Sequence, residues 1–342
     1  MHIVHVNFAK GFRGGERQTQ LLIQSISNTK MIQTLLVRKG SELGERCKDI
    51  NSLSVIEISK PYALHVSAIN GADVIHAHET KALQFAYIAS LLKGIPYIVT
   101  RRVDNAIKSN FLNKIMYKKA EKSVALSKAI EKQILRVSPD ASCQIIPSAF
   151  SGFQVNKAKL AKIKERFNGK FLIGHIGALD EKHKGQSYLI HAVQSLQGKY
   201  RDIHLILLGR GDDEGYLKSL CSDSDAITFE GFVDNVGDYI HALNLFVFPS
   251  NNEGLGSILL DVMSGNVPII ASNVGGIPDI ITNEKNGILV PTQDFQAISE
   301  AIERLYADEK LRKEFISASQ EKIAEFSVEK MSQEYIKIYE GI

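Results

Sequence analysis

Short apolar runs recur along the chain, separated by segments whose apolar residues fall three and four positions apart. In the first half the runs are residues 2–8, 33–37, 55–58, 74–77, 97–100, 123–126 and 144–146. Each is short and mostly β-branched or otherwise apolar, which predicts strands. Residues 17–27, 81–93 and 127–137 carry helical spacing. The runs at 3–6 and 74–77 are almost continuously apolar, as expected of strands covered on both faces. Strand–helix alternation of this kind predicts a parallel, doubly wound sheet.

The rhythm breaks at Pro147–Gly152 and a polar helical stretch follows at 157–167. It then restarts with runs at 171–176, 204–208, 227–229, 245–248, 267–271 and 287–290, with helical patterns at 187–195, 216–220 and 257–264. Met331, Tyr335, Ile338 and Tyr339 place one apolar stripe on a closing helix. The predicted class is α/β. Two Rossmann-like domains span 1–150 and 151–325 and face a central cleft, and a terminal helix over 326–342 packs back on the first. Open parallel sheets bind ligands beyond the carboxyl ends of their strands. Candidate residues are therefore those in loops that follow strands.

Composition narrows the class. The chain has 342 residues, 44% hydrophobic and 23% charged, as in ordinary globular proteins. Its three cysteines, Cys47, Cys143 and Cys221, are far apart, which argues for a reducing compartment and against a zinc knuckle. The start, MHIVHVNF, lacks the basic region of a signal peptide, and no run reaches membrane-spanning length. The expected location is the cytoplasm, free or on the inner face of the membrane. Charge is uneven: residues 1–150 hold 21 basic and 11 acidic side chains, and residues 151–342 hold 20 and 27. A basic first half suits an anionic partner, although solubility alone gives the same pattern.

Several post-strand loops carry chemistry. Gly14 and Gly15 precede a helix after the first strand, where bare backbone and a helix N-terminus attract anions; the dinucleotide pattern GxGxxG is absent. His78 and Glu79 follow the run at 74–77 as polar cleft candidates, with His76 packed behind. Two histidines without a third ligand do not make a metal site. Arg101 and Arg102 follow the run at 97–100 and suit a phosphate or a sugar acid; the alternative is a solvated cluster paired with Asp104. Residues 177–185, GALDEKHKG, place Lys182 and Lys184 before a helix, a natural diphosphate cradle, and no Walker A loop is present. Residues 249–261, PSNNEGLGSILLD, put Glu253 in a glycine-rich loop and Asp261 in the following helix. With no cation in that loop, the two carboxylates suit the vicinal hydroxyls of a sugar or ribose. Asp223-Ser224-Asp225 precedes a strand, on the wrong side of a sheet for ligand binding, and reads as a surface turn. No nucleophile elbow, HExxH or nucleic-acid-binding module is present.

Taken together, RGGERQ near the start, the HKGQ loop and PSNNEGLGSILLDVMSGNVPIIASNVGGIPDII resemble the retaining, nucleotide-sugar-dependent glycosyltransferases of family four, with the GT-B fold. The resemblance implies that Lys184 pairs with the donor diphosphate of a UDP-, GDP- or ADP-sugar. Glu253 and the amides of Gly254, Leu255 and Gly256 would hold the transferred sugar and distal phosphate, with Ser257 beside them at the start of the helix. Asp261 would bind ribose, where the family usually has glutamate. Gly14 and Gly15 would line the diphosphate, and residues around Phe232 and Val233 would flank the base. A basic residue that often follows the first glycine of the HKGQ-side loop is Ala178 here, so Lys182 is expected to assist Lys184. Arg102 stands near where some members carry a sugar-contacting histidine, and with His78, on the acceptor side, it joins Lys184 and Glu253 in the expected catalytic set.

The resemblance further implies transfer to a glycan or glycolipid with retention, in surface polysaccharide or lipopolysaccharide synthesis. Catalysis would be chiefly electrostatic, needing no metal if Lys184 and helix dipoles meet the leaving-group charge. Lys108–Lys122, with five lysines among Phe111, Leu112, Ile115 and Met116, is either a solvated helix or one lying on an anionic leaflet. The competing readings are a GT-B fold that has lost catalysis and serves as a binding or scaffold subunit, and an inverting transferase or sugar-nucleotide epimerase of similar architecture.

Overall fold

The computed structural model describes residues 1–221 and 224–342. The chain forms two compact units, Met1–Ser151 with Phe326–Ile342, and Gly152–Glu325. In the first, strands β1 (His2–Asn7), β2 (Ile32–Arg38), β3 (Leu53–Ile58), β4 (Val74–Ala77), β5 (Tyr97–Arg101), β6 (Lys122–Ala125) and β7 (Cys143–Ile145) make one sheet. The order is β3-β2-β1-β4-β5-β6-β7 and every pairing is parallel. Helices α1 (Gly14–Ile26), α2 (Glu42–Cys47), α3 (Thr80–Lys93), α4 (Phe111–Lys119) and α5 (Lys128–Val137) connect the strands.

The second unit repeats the scheme with β8 (Phe171–Ile176), β9 (Ile203–Leu208), β10 (Ile227–Gly231), β11 (Leu245–Phe248), β12 (Ile269–Ser272) and β13 (Ile288–Val290), in the parallel order β10-β9-β8-β11-β12-β13. Its helices are α6 (Lys157–Arg166), α7 (Glu181–Lys184), α8 (Gln186–Leu196), α9 (Glu214–Ser219), α10 (Val236–Ile240), α11 (Ile258–Ser264), α12 (Ile277–Ile280), α13 (Phe295–Ala307) and α14 (Glu309–Ile323). The last helix, α15 (Val328–Glu340), packs Met331, Tyr335, Ile338 and Tyr339 against Ile3, Leu22, Val74, Ile98 and Val124 of the first unit. Tyr335 and Tyr339 are fully buried.

Strand order reverses between β1 and β4 in one sheet and between β8 and β11 in the other. Adjacent chains leave such a point in opposite directions, which opens a crevice beyond the strand ends. The loops there are Phe8–Arg13 and His78–Glu79 in the first unit, and Gly177–Asp180 and Pro249–Ser257 in the second.

Two expectations change. The stretch 108–122 is not one helix: Lys108 lies in a loop, and Lys122 lies in β6 with its Nζ on Ser142 Oγ. Lys118 pairs with Asp140 at 3.0 Å. Residues 177–185 are not all loop, since α7 forms one turn capped by Asp180, which accepts from the His183 amide. Asp223 lies outside the described residues. Among the described residues no helix is long and apolar enough to cross a membrane.

Candidate functional site

In the second unit Lys184 ends α7 and Gly185 reverses the chain into α8 with φ +59°. A Cβ on Gly185 would lie 2.5 Å from the Pro249 carbonyl, so only glycine lets α7 sit against the loop after β11. His183 O accepts from the Asn251 amide at 2.9 Å and the Asn252 amide at 3.2 Å, which fixes that contact. The result brings Lys184 Nζ to Glu253 Oε2 at 2.5 Å, with both side chains about one-fifth exposed (20% and 17%). The ammonium also lies 5.0 Å from the centre of the Phe248 ring. This corrects the sequence reading of Glu253 as a carboxylate without a cation: its partner arrives from the end of α7, 69 residues away.

Around the pair are polar atoms without partners. Gln186 Nε2 donates to the Ala178 carbonyl (2.7 Å) and reaches His175 Nε2 (3.4 Å). His175 Nδ1 donates to the Val247 carbonyl (3.1 Å), and burial pulls its pKa down to about 4, so the ring is neutral. Gln186 Oε1, Ser250 Oγ and Asn251 Oδ1 are buried and hydrogen-bond to nothing in the protein. Orphaned buried polar groups are rare and ask for an external partner. The amides of Leu255, Gly256 and Ser257 also donate to no protein acceptor among the described residues.

The remaining predicted residues of this unit take distinct positions. Gly254, Leu255 and Gly256 are buried, Gly256 has φ +80°, and a Cβ there would meet Leu259, Glu253 and Phe248. Ser257 caps α11 by position, without a side-chain hydrogen bond. Asp261 is buried in α11 among Leu259, Leu260, Val262 and Met263. Lys182 points to solvent and is not brought to Glu253 by any hydrogen bond or ion pair, while Phe232 is exposed and Val233 half-buried after β10. Gly209 and Gly211 pack on the loop after β8; a Cβ on Gly209 would stand 1.8 Å from the Gly177 carbonyl oxygen.

The first unit gathers a different set. His5 from β1 joins His76 and His78 at the end of β4, with their nitrogens within 4.8 Å of one another. Sequence reasoning lacked this third imidazole because paired residues of β1 and β4, such as His5 and His76, are 71 residues apart and neighbours only through the sheet. All six ring nitrogens have partners. His76 contacts Tyr339 OH (2.7 Å) and Thr100 Oγ1 (2.8 Å), and Thr100 Oγ1 also meets Tyr335 OH (2.9 Å). His5 contacts His78 Nε2 (3.0 Å) and Gln33 Oε1 (3.2 Å). His78 Nδ1 accepts from Arg102 Nη2 at 3.3 Å. Burial holds His5 at about 4 and pulls His76 and His78 well below the usual imidazole range, with the neighbouring rings and Arg102 adding to it. Three neutral rings bonded to hydroxyls, an amide and a guanidinium form a proton-ordered network.

The two arginines diverge. Arg101 turns to the Asn105 carbonyl and Tyr117 OH, whereas Arg102 runs over Gly15, where an added Cβ would stand 3.2 Å from Arg102 Cδ. Neither pairs with Asp104. Glu79 caps α3, accepting from the amides of Lys81 (2.6 Å) and Ala82 (2.7 Å), and its polar role is structural. Gly14 and Gly15 open α1, and their amides meet no protein acceptor among the described residues.

Comparison with known proteins bears on the fold and the family. Residues 156–322 match the family described as "Glycosyl transferases group 1". A capsular polysaccharide biosynthesis glycosyltransferase, CapM of Staphylococcus aureus, is 31% identical over 169 residues, 48% of this chain and 44% of that one. The chain spans about half the length of the first curated relatives it matches. A lipopolysaccharide core biosynthesis glycosyltransferase, LpsE of Rhizobium meliloti, is 23% identical over 99% of this chain and 98% of its own. The solved structure of HepE from Anabaena in complex with UDP-glucose superposes with TM-score 0.88 at 17% identity, covering 100% of both chains. The two parallel-sheet α/β units have the GT-B fold, and the segment 156–322 of the second unit matches the glycosyl transferases group 1 family.

Proposed function

We propose that this protein transfers a sugar from a nucleoside diphosphate sugar to a glycan or lipid-linked acceptor with retention of configuration, in lipopolysaccharide or surface polysaccharide synthesis. The carrying observation is the Lys184–Glu253 pair at the crevice of the second sheet, ringed by unpartnered polar atoms. In the free protein each charge neutralises the other, which keeps two poorly hydrated groups at low cost. A donor would exchange that pair. Its diphosphate takes Lys184 and the amides of Leu255 and Gly256, and Glu253 is released to accept hydrogen bonds from sugar hydroxyls. As the anomeric bond breaks, charge grows on the departing phosphate, where the ammonium and amides are already aimed. The acceptor hydroxyl attacks on that face and passes its proton to the phosphate. Asp261 is assigned to the ribose and Val233 to the base. HepE was solved with UDP and UDP-glucose, and the LpsE and CapM descriptions point to the same classes of product.

A peripheral membrane position fits the first unit. Phe111 (80% exposed) and Leu112 stand at the start of α4 beside exposed Lys108, Lys114 and Lys119. Apolar knobs flanked by lysines suit an anionic leaflet.

The test is a thermal-shift panel of UDP-, GDP- and ADP-sugars, followed by transfer assays. One class at 100 times its Kd should add about 2.7 kcal/mol of stability. A folded protein that binds none of them supports the scaffold reading instead.

A further inference from the structure

The first unit holds a cation whose surroundings are otherwise satisfied. Gln33 Nε2 donates to the Ile23 carbonyl at 3.1 Å, so its Oε1 must face His5. His5 therefore donates from Nε2 and offers a lone pair at Nδ1. His78 in turn donates from Nε2 and offers a lone pair at Nδ1, which receives Arg102 Nη2. A backbone carbonyl thus dictates, through one amide and two imidazoles, that Arg102 meets an acceptor. No carboxylate among the described residues comes within ion-pair distance of Arg102. The nearby acid, Glu16, is engaged with the Arg13 amide at 3.0 Å. Arg102 Nε is buried and has no partner, and the side chain crosses Gly15 at the positive end of the 13-residue α1. A half-buried guanidinium beside a helix N-terminus, its Nε buried and unpartnered and no anion supplied by the protein, is an unfinished charge arrangement.

We infer that Arg102 is a receptor for a phosphoryl group on the acceptor, held in place by the positioning residues His78, His5 and Gln33. This rests on the transfer reading above. The acceptor is favoured over the donor by charge: the basic excess lies in residues 1–150, whereas 151–342, which contain the proposed donor residues, are net acidic and already supply Lys184. An anionic acceptor is steered toward the basic unit.

The test uses the full-length protein with inorganic phosphate and methyl phosphate as probes, read by thermal shift and calorimetry. Wild type and Lys184→Ala should bind both, and Arg102→Gln should weaken them at least about tenfold, as for loss of a charge-assisted contact. In the absence of anion, Arg102→Gln should melt no lower than wild type, because a half-buried cation with no carboxylate partner has been removed; this also shows that the variant folds. His78→Leu should weaken phosphate about tenfold as well, whereas His78→Gln, which can donate to His5 and accept from Arg102, should restore it. Nucleoside diphosphate affinity should change less than about threefold in Arg102→Gln. Phosphate binding that survives Arg102→Gln, or is absent from wild type, overturns the inference. Equal loss of nucleoside diphosphate binding assigns the arginine to the donor and overturns it too, while acetate binding in preference to phosphate overturns the phosphoryl assignment. Failure of every nucleotide sugar to bind would instead strike the transfer reading and leave the phosphate result standing on its own.

Discussion

At the residue scale, the chemistry rests on side chains whose charges are poised by neighbours distant in sequence. Lys184 and Glu253 were both legible, because each falls in a glycine-bearing loop after a strand. Their contact was not, because it depends on Gly185 seating α7 against Pro249. Gln186, Ser250 and Asn251 were missed for a related reason. Amides and hydroxyls carry no motif, and only the fold shows that their atoms are buried without partners. Glu253→Gln tests this scale. It keeps shape and loses the anion, so kcat/KM for transfer should fall at least tenfold, with a melting temperature within a few degrees of wild type. The ion pair it breaks is partly exposed, and such pairs add about 0–1 kcal/mol. An unchanged kcat/KM would remove Glu253 from the donor site.

At the element scale, the strands were the most legible part. All thirteen apolar runs correspond to strands with ends shifted by at most two residues; the inner strands are buried on both faces and so nearly continuously apolar, while β3, β7 and β10 at the edges are only partly buried. Helices were less so. Polar-rich α14 carries only a weak apolar face, and α7 is a single turn visible only through its cap. Lysines read together at 108–122 are parted by α4 ending at Lys119 and by β6 beginning at Lys122. Two predictions belong here. Gly209→Ala places a Cβ inside contact distance of the Gly177 carbonyl at φ +137°. It should therefore displace the loop after β8, lowering stability by about 1–3 kcal/mol and donor affinity with it; calorimetry on the purified variant measures both. Tyr339→Phe in α15 removes the hydroxyl on His76 Nδ1. Denaturant unfolding of the first unit should show a loss of about 1–3 kcal/mol, the cost of leaving one buried ring nitrogen unsatisfied.

At the scale of the whole molecule, each unit buries neutral histidines: His5, His76 and His78 in one, His175 in the other. Their folded pKa values lie below 6.5, so the unfolded chain binds more protons as the medium acidifies. Stability is therefore fully present above about pH 6.5 and falls as pH drops toward 4, where His5 and His175 begin to take protons in the folded state. Urea midpoints measured from pH 7.5 to 4.5 should decline across that window, and Gln substitution at His5 should flatten the decline; a flat wild-type profile would contradict the neutral network. The two-unit plan was readable from the break near residue 150, but the histidine network was not, because sheet order alone makes β1 the neighbour of β4.

The central claim is that the second unit meets the charge of a departing nucleoside diphosphate with one ammonium and a set of backbone amides. Its most direct test is the transfer rate of Lys184→Ala on the nucleotide sugar that the thermal-shift panel selects. With the fold checked by circular dichroism, kcat/KM should fall about 10²–10³-fold, as for loss of one preorganised transition-state contact. Turnover within about threefold of wild type would contradict the account.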